Sequence, residues 1–364
     1  MRKRFMLVIA VFVALSLGAA ACGDDSGDGG SSSSSSACPK SAEKGDASGK
    51  KVGLMFDITG RGDQSFNDSA ACGLDRAVKD FKLNPKEYPP TGDSDRADRL
   101  KLASTTDGRE LVVAVGFLWA TPITEASKAY PNVKYTIVDS VVAAPNVLSV
   151  TFKEEEGSYL VGVAAALKTK SGKIGFIGGV EQDLIKKFEA GFVAGAKATK
   201  SNVDITVKYI TPDGDFTGFN APDKGQEIAR GMYDAGVDII YAAAGSSGTG
   251  MFKAAKEYTD KVGASKKVWG IGVDSDQYNT VGADLQKYVL TSMLKRVDTA
   301  VYEAINGFTE GTFAGGTTEV LDLKAAGVDY ATTGGFVDDI KSKIDAAKKD
   351  IIDGKITVPS KPTK

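Results

Sequence analysis

Apolar runs of about five to eight residues recur along the chain, and stretches with a helical period separate them. The runs predict strands over Lys51–Phe56, Leu111–Gly116, Lys134–Asp139, Lys173–Ile177, Asp204–Ile210, Asp238–Ala243, Lys267–Val273 and Tyr288–Ser292. Several are apolar at consecutive positions rather than alternate ones, as strands covered on both faces require. The intervening periodicity predicts helices over Ser65–Phe81, Glu154–Leu167, Gln182–Thr199, Pro222–Ala235, Gly250–Val262 and Lys295–Phe308. Such alternation builds parallel sheets joined by right-handed crossovers. So many strands exceed one half of a doubly wound protein, and a natural division falls near Thr151. The expectation is an α/β protein of two doubly wound parallel-sheet lobes with a cleft between them. A single β/α barrel is the alternative that also fits the strand count.

The first apolar run, Phe5 to Leu17, is of a different kind. Arg2, Lys3 and Arg4 precede it and Gly18-Ala19-Ala20-Ala21-Cys22 follow, the layout of a secretory signal peptide over residues 1–21. It falls short of the roughly 20 residues a spanning helix needs. A cysteine directly after the small residues makes this a lipoprotein signal, with Cys22 as the lipidated new N-terminus. Ala19 stands where a branched aliphatic residue is usual, and an ordinary secreted protein cut near Ala21 is the competing reading. Gly23 to Ser36 is almost purely Gly, Asp and Ser. Such a stretch buries too little apolar surface to offset its chain entropy, so residues 22–49 read as a flexible tether. The body is then extracytoplasmic, attached to the membrane through lipid only.

Net charge is −2 with both signs interspersed, which points to no nucleic-acid partner. The chain has no histidine, so Ser-His-Asp and Cys-His nucleophile systems, HExxH zinc sites and imidazole bases are all excluded. No cofactor or metal is expected. Of three cysteines, Cys22 goes to lipid, leaving Cys38 and Cys72 either as a disulfide or as two unpaired thiols.

Doubly wound sheets bind ligands just beyond the carboxyl ends of their strands. Polar residues gather there: Asp57 to Asn67 after the first strand, Asp139-Ser140 after the third, Asp274 to Gln277 after the seventh, and Lys295-Arg296 after the eighth. For any one carboxylate a helix cap is the blander role; the set as a whole reads as a site. Gly245-x-x-Gly248-x-Gly250 follows the sixth strand. It is neither a Walker loop nor a GxGxxG fingerprint, and its backbone N–H groups suit either a ligand or a tight turn.

At these loops the chain resembles the basic membrane lipoprotein family, whose members include a purine nucleoside receptor. The resemblance rests on Asp57-x-x-Gly60-x-x-Asp63-x-Ser65-Phe66-Asn67, Gly191-Phe192-x-x-Gly195, Phe219-Asn220-x-Pro222-x-Lys224-Gly225, Gly272-Val273-Asp274-Ser275-Asp276-Gln277 and Ser292-x-Leu294-Lys295-Arg296-Val297-Asp298. Thr59 and Ala221 depart from the family pattern, at places usually held by Gly and Asp. The resemblance implies a type I periplasmic-binding fold hinged by three crossings, acting without catalysis as a monomeric substrate-binding lipoprotein. It also implies an ABC permease as partner and a captured nucleoside as ligand. On this basis residues 50–150 and 280–315 make one lobe, and residues 151–279 and 316–364 the other.

A nucleobase is a flat π-system that two aromatic faces can sandwich, and Phe66 and Phe219 sit in opposite lobes. Base edges suit Asp57, Asn67 and Asp139 as partners. Asp274 suits the vicinal hydroxyls of a ribose, and Lys295 is placed to donate to the sugar and balance Asp274. Trp119 is either a further wall of the site or a core residue, while Asp276 and Asp298 read as supports. Another small polar aromatic such as riboflavin, or an extracytoplasmic hydrolase, are the alternative functions.

Overall fold

The computed structural model describes residues 38–92 and 94–362. The signal peptide, Cys22 and most of the tether lie outside these residues. Among the described residues no helix is long and apolar enough to cross a membrane.

Among the described residues twelve strands form two six-stranded sheets. In the first lobe are β1 (Val52–Met55), β2 (Lys86–Tyr88), β3 (Leu111–Val115), β4 (Lys134–Val138) and β5 (Val147–Phe152). In the second are β6 (Lys173–Val180), β7 (Asp204–Thr211), β8 (Ile239–Ala243), β9 (Trp269–Asp274) and β10 (Val289–Lys295). Then β11 (Thr318–Leu321) joins the first sheet and β12 (Val328–Tyr330) the second. The orders are β2-β1-β3-β4-β5-β11 and β7-β6-β8-β9-β10-β12, parallel except for β12, which runs antiparallel to β10. Both lobes thus share one winding, with the order reversing between β1 and β3 and again between β6 and β8. The alternative of a single barrel is excluded by these open sheets. Strands β1, β3 and β8 are buried at every position, which is why their sequences are apolar without alternation.

Helices cover the sheets. They are α1 (Phe66–Phe81), α2 (Arg96–Ser104), α3 (Ala120–Ala129), α4 (Glu154–Lys168), α5 (Asp183–Thr199) and α6 (Pro222–Asp234). After them come α7 (Gly248–Val262), α8 (Gln277–Thr280), α9 (Ala283–Gln286), α10 (Val297–Thr309) and α11 (Lys341–Ile352). The pair α4 and α5 packs at backbone contact. A Cβ on Gly191 would stand 2.0 Å from the Glu155 carbonyl oxygen, and one on Gly195 would stand 2.1 Å from that of Tyr159. The Gly191-Phe192-x-x-Gly195 motif is therefore a packing device, not a ligand loop.

The chain crosses between lobes three times: from β5 into α4, from β10 into α10, and from β11 to β12. These crossings redraw the expected boundaries. Residues 289–295, assigned above to the first lobe, form a central strand of the second, and residues 318–321 lie in the first sheet. A strand buried on both faces looks the same in either sheet; only its pairing, β10 beside β9, decides its lobe. Strand β5 runs through Thr151, so that division sits one strand end too early.

The tether also ends sooner than expected. Cys38 and Cys72 are joined by a disulfide, with their Cα atoms 5.5 Å apart. Lys44 N–H donates to the Asp80 carbonyl at 2.8 Å and Ala47 N–H to that of Phe81 at 2.7 Å. Those carbonyls belong to the last turn of α1, where helical partners run out. Residues 38–49 are thus laid along the body, although their composition reads as linker.

Candidate ligand-binding cleft

Strand ends from both lobes converge on a cleft of about 630 Å³, part of it open to solvent. It sits at the two points where strand order reverses, as expected for wound sheets.

On the first lobe the loop from β1 to α1 is held by its own side chains. Asp63 accepts from the backbone N–H groups of Ser65 (2.9 Å), Asn67 (2.8 Å) and Asp68 (3.1 Å), placing a carboxylate on the orphan donors that open α1. Asn67 accepts from the Asp57 N–H at 2.9 Å and donates to Thr59 and Asp63, both at 2.9 Å. Both amide hydrogens are consumed within the loop. Asn67 borders the cleft, yet its donors brace the loop and are not available to a base edge, contrary to the sequence expectation. Phe66, the first residue of α1, leans half-buried into the cleft. Asp57 pairs with Arg96 at 3.2 Å; burial pushes its carboxyl up to about 6, against the pull of that guanidinium.

Phe219 answers from the second lobe, at the end of the 3-10 turn Phe216–Phe219. Its ring lies on Gly179, where any Cβ would come within 2.5 Å of it. Ser246 donates to the Phe219 carbonyl at 3.0 Å and Ser247 to that of Gly218 at 2.8 Å, so the glycine loop after β8 clamps the aromatic turn. Gly245 lines the cleft at φ +55°. Leu184, Ile185 and Phe188 of α5 supply an apolar wall. Sequence reasoning missed these three because their spacing is that of any core-facing helix.

The polar floor is ionic. Asp139 and Asp274 close β4 and β9 with φ of +70° and +63°, a left-handed backbone that Asp tolerates better than most side chains. Lys295 is the last residue of β10, not the start of a helix as its pattern suggested, and is about 1% exposed. Its ammonium stands 2.7 Å from Asp139 and 3.1 Å from Glu154. Burial alone would lower the Lys295 pKa; Asp139, Glu154 and Asp274 more than offset that and raise it. Burial raises Asp139, with Lys295 opposing. Asp274 accepts from Ser65 Oγ at 2.7 Å across the lobes. Its carboxyl is pushed up to about 7, mainly by burial, while Lys295 and Ser65 hold it down and Asp139 and Asp63 push it further up.

Trp119 does not join them. It is fully buried in the first lobe's core with the Arg99 guanidinium 4.7 Å from its ring centre. Phe117, two residues earlier, lines the cleft instead and meets Phe216 of the other lobe edge-on, ring centres 5.7 Å apart. The 3-10 turn Phe117–Trp119 turns Trp119 inward, which no periodicity in the sequence signals.

Two matched lobes, a cleft at both switch points and a hinge of three crossings describe a solute-binding protein. Residues 50–362 match a single protein family. The chain belongs to the Bmp family. Its members are described as ABC transporter substrate-binding proteins, PnrA-like. The ABC transporter nucleoside-binding protein BmpA of Lactococcus lactis subsp. cremoris is 36% identical over 99% of this chain and 100% of its own length. A lipoprotein of Pyrococcus horikoshii is 34% identical over 77% of this chain and 68% of its own. Among solved structures, an ABC transporter solute-binding protein of Aeropyrum pernix K1 superposes with a TM-score of 0.73 at 28% identity, covering 86% of this chain and 94% of that one. The fold is that of the type I periplasmic binding proteins. Within the Bmp family the chain is a substrate-binding component of an ABC transporter.

Proposed function

We propose that the protein captures a nucleoside, purine by preference, between its lobes and delivers it unchanged to the permease of an ABC importer. The observation that carries this is the pairing of Phe66 and Phe219, half-buried aromatic rings offered to one cleft from opposite lobes. Two faces suit a flat base, and each stacking contact is worth about 1–3 kcal/mol. Asp274 and Lys295 sit together on the floor, a carboxylate to accept from ribose hydroxyls and an ammonium to donate to one. Asp57 and Asp139 remain as acceptors toward the base edge. The nucleoside-binding name of the L. lactis relative supports the same ligand. Lipid on Cys22 keeps the monomeric body at the outer face of the membrane, a reading supported by the lipoprotein name of the P. horikoshii relative.

Titration calorimetry on protein stripped by unfolding and refolding tests the ligand. One-to-one heats with guanosine, inosine or adenosine, and intact nucleoside recovered afterwards, are expected. No heat with any purine nucleoside refutes the ligand, and free base among the products refutes passive capture. A yellow chromophore on the purified protein would move the ligand to a flavin.

A further inference from the structure

Glu154 is a buried charge that the binding scheme leaves without a task. It is fully buried, opens α4 directly after the first lobe crossing, and does not line the cleft. Its Oε2 accepts from Lys187 Nζ of α5 at 3.0 Å, and its Oε1 stands 3.1 Å from Lys295 Nζ. Lys295 ends β10 at the second crossing and donates to Asp139, at the end of β4, at 2.7 Å. Four charges thus run in alternating sign, Asp139–Lys295–Glu154–Lys187, through ground where an unpaired charge would be costly. An ammonium has three hydrogens. Asp139 accepts one, while the Glu154 carboxylate, which does not line the cleft, acts on the ammonium as a neighbouring charge at 3.1 Å and leaves hydrogens for a ligand.

We propose that Glu154 is a positioning residue for ligand recognition: without touching the ligand, it holds the Lys295 ammonium where a ribose hydroxyl meets it. Three phenyl rings narrow the choice of places further, those of Phe152, Phe66 and Phe188, with centres 5.0, 5.4 and 5.6 Å from Nζ. A ring surface tolerates the cation without directing any of its hydrogens. Direction comes from the hydrogen bond to Asp139 and from the pull of the Glu154 charge on the ammonium. Glu154 and Lys295 both sit at crossings, so the pair lies at the hinge. The lysine is then oriented before ligand arrives, and little ordering is left to oppose binding.

The ribose role of Lys295 rests on the nucleoside reading; the Glu154–Lys295 coupling does not, and the experiment separates them. In ligand-free protein labelled with 15N-lysine, a slowly exchanging ammonium resonance should be present and vanish in Lys295→Ala. Its hydrogen exchange should speed up about tenfold or more in Glu154→Gln, which keeps the shape and removes the charge. Glu154→Asp keeps the charge at shorter reach, should fall between, and serves if the Gln variant does not fold. Unchanged exchange in these variants overturns the positioning role, whatever the ligand proves to be. With nucleoside bound, Glu154→Gln should weaken guanosine about tenfold and guanine less than about twofold. In a Lys295→Ala background the same substitution should leave the guanosine-to-guanine ratio unaltered. Equal losses for guanosine and guanine, or a further fall of the ratio in that background, would mark Glu154 as merely structural.

Discussion

Binding should lose strength as pH falls through neutrality, and Asp274 should be the cause. The residue is about 7% exposed, and its carboxyl is pushed up to about 7 from an ordinary 3.8. Lys295 and Ser65 hold it down, while burial, Asp139 and Asp63 push it up. A ribose donates its hydroxyl hydrogens, so the ionised form is the one that binds. With half-ionisation near 7, about a tenth of the protein is competent at pH 6 and about a hundredth at pH 5. The apparent Kd should therefore rise about tenfold per unit below neutrality and flatten above pH 8. Asp57, pushed up to about 6, adds a second and later decline. The apo protein should show the opposite trend. The folded Asp274 binds a proton more readily than the unfolded one, so its contribution favours folding at low pH. That contribution is lost as pH rises from about 4 to 7, by up to roughly 4 kcal/mol for this group. Titration calorimetry from pH 5 to 8 in buffers of different ionisation enthalpy reads both Kd and proton release. In Asp274→Asn binding should be weak throughout, and the decline between pH 8 and 6 should disappear. A flat Kd in the wild type, or the same slope in Asp274→Asn, would refute the assignment.

Phe66→Ala and Phe219→Ala should each weaken nucleoside and free base alike, by about tenfold or more, because a stacking face is worth about 1–3 kcal/mol; calorimetry with guanosine and guanine measures both. Replacing Cys38 and Cys72 together by Ser should lower unfolding free energy by roughly 3–4 kcal/mol in the chain-entropy account of a loop with sequence separation 34. Denaturant titration measures that loss, and proteolysis should then cut within residues 38–49. Gly191→Ala should cost about 1–3 kcal/mol, since its methyl would meet the Glu155 carbonyl at 2.0 Å and force α4 from α5; a melting temperature equal to wild type would contradict this. Cys22→Ala should release the protein from membranes on cell fractionation, and a variant still membrane-bound and lipid-labelled would refute the anchor.

Much of the lining of the candidate cleft was legible because these residues fall at strand ends. Asp57, Asp139, Asp274 and Lys295 each follow or close an apolar run, and wound sheets bring such ends to one place. Phe66 and Phe219 were legible through motif resemblance, each beside a turn into a helix. Asn67 and Trp119 were not. Counting positions shows that an amide borders the loop, but not that Thr59 and Asp63 consume its hydrogens. Nor does it show that the turn at Phe117 exchanges which aromatic faces the cleft.

The pattern of apolar runs determined that the body is an α/β protein of largely parallel strands, in two lobes or one barrel, and the missing histidine removed whole classes of chemistry. Those are properties of local stretches, readable because burial on two faces leaves a continuous apolar signature. Only the tertiary structure decided which sheet each strand joins, that residues 38–49 dock on α1, and that Glu154 stands behind Lys295. These depend on contacts between residues far apart in the chain. Glu154 and Lys295 lie on different crossings, and no local pattern records that their charges meet at 3.1 Å.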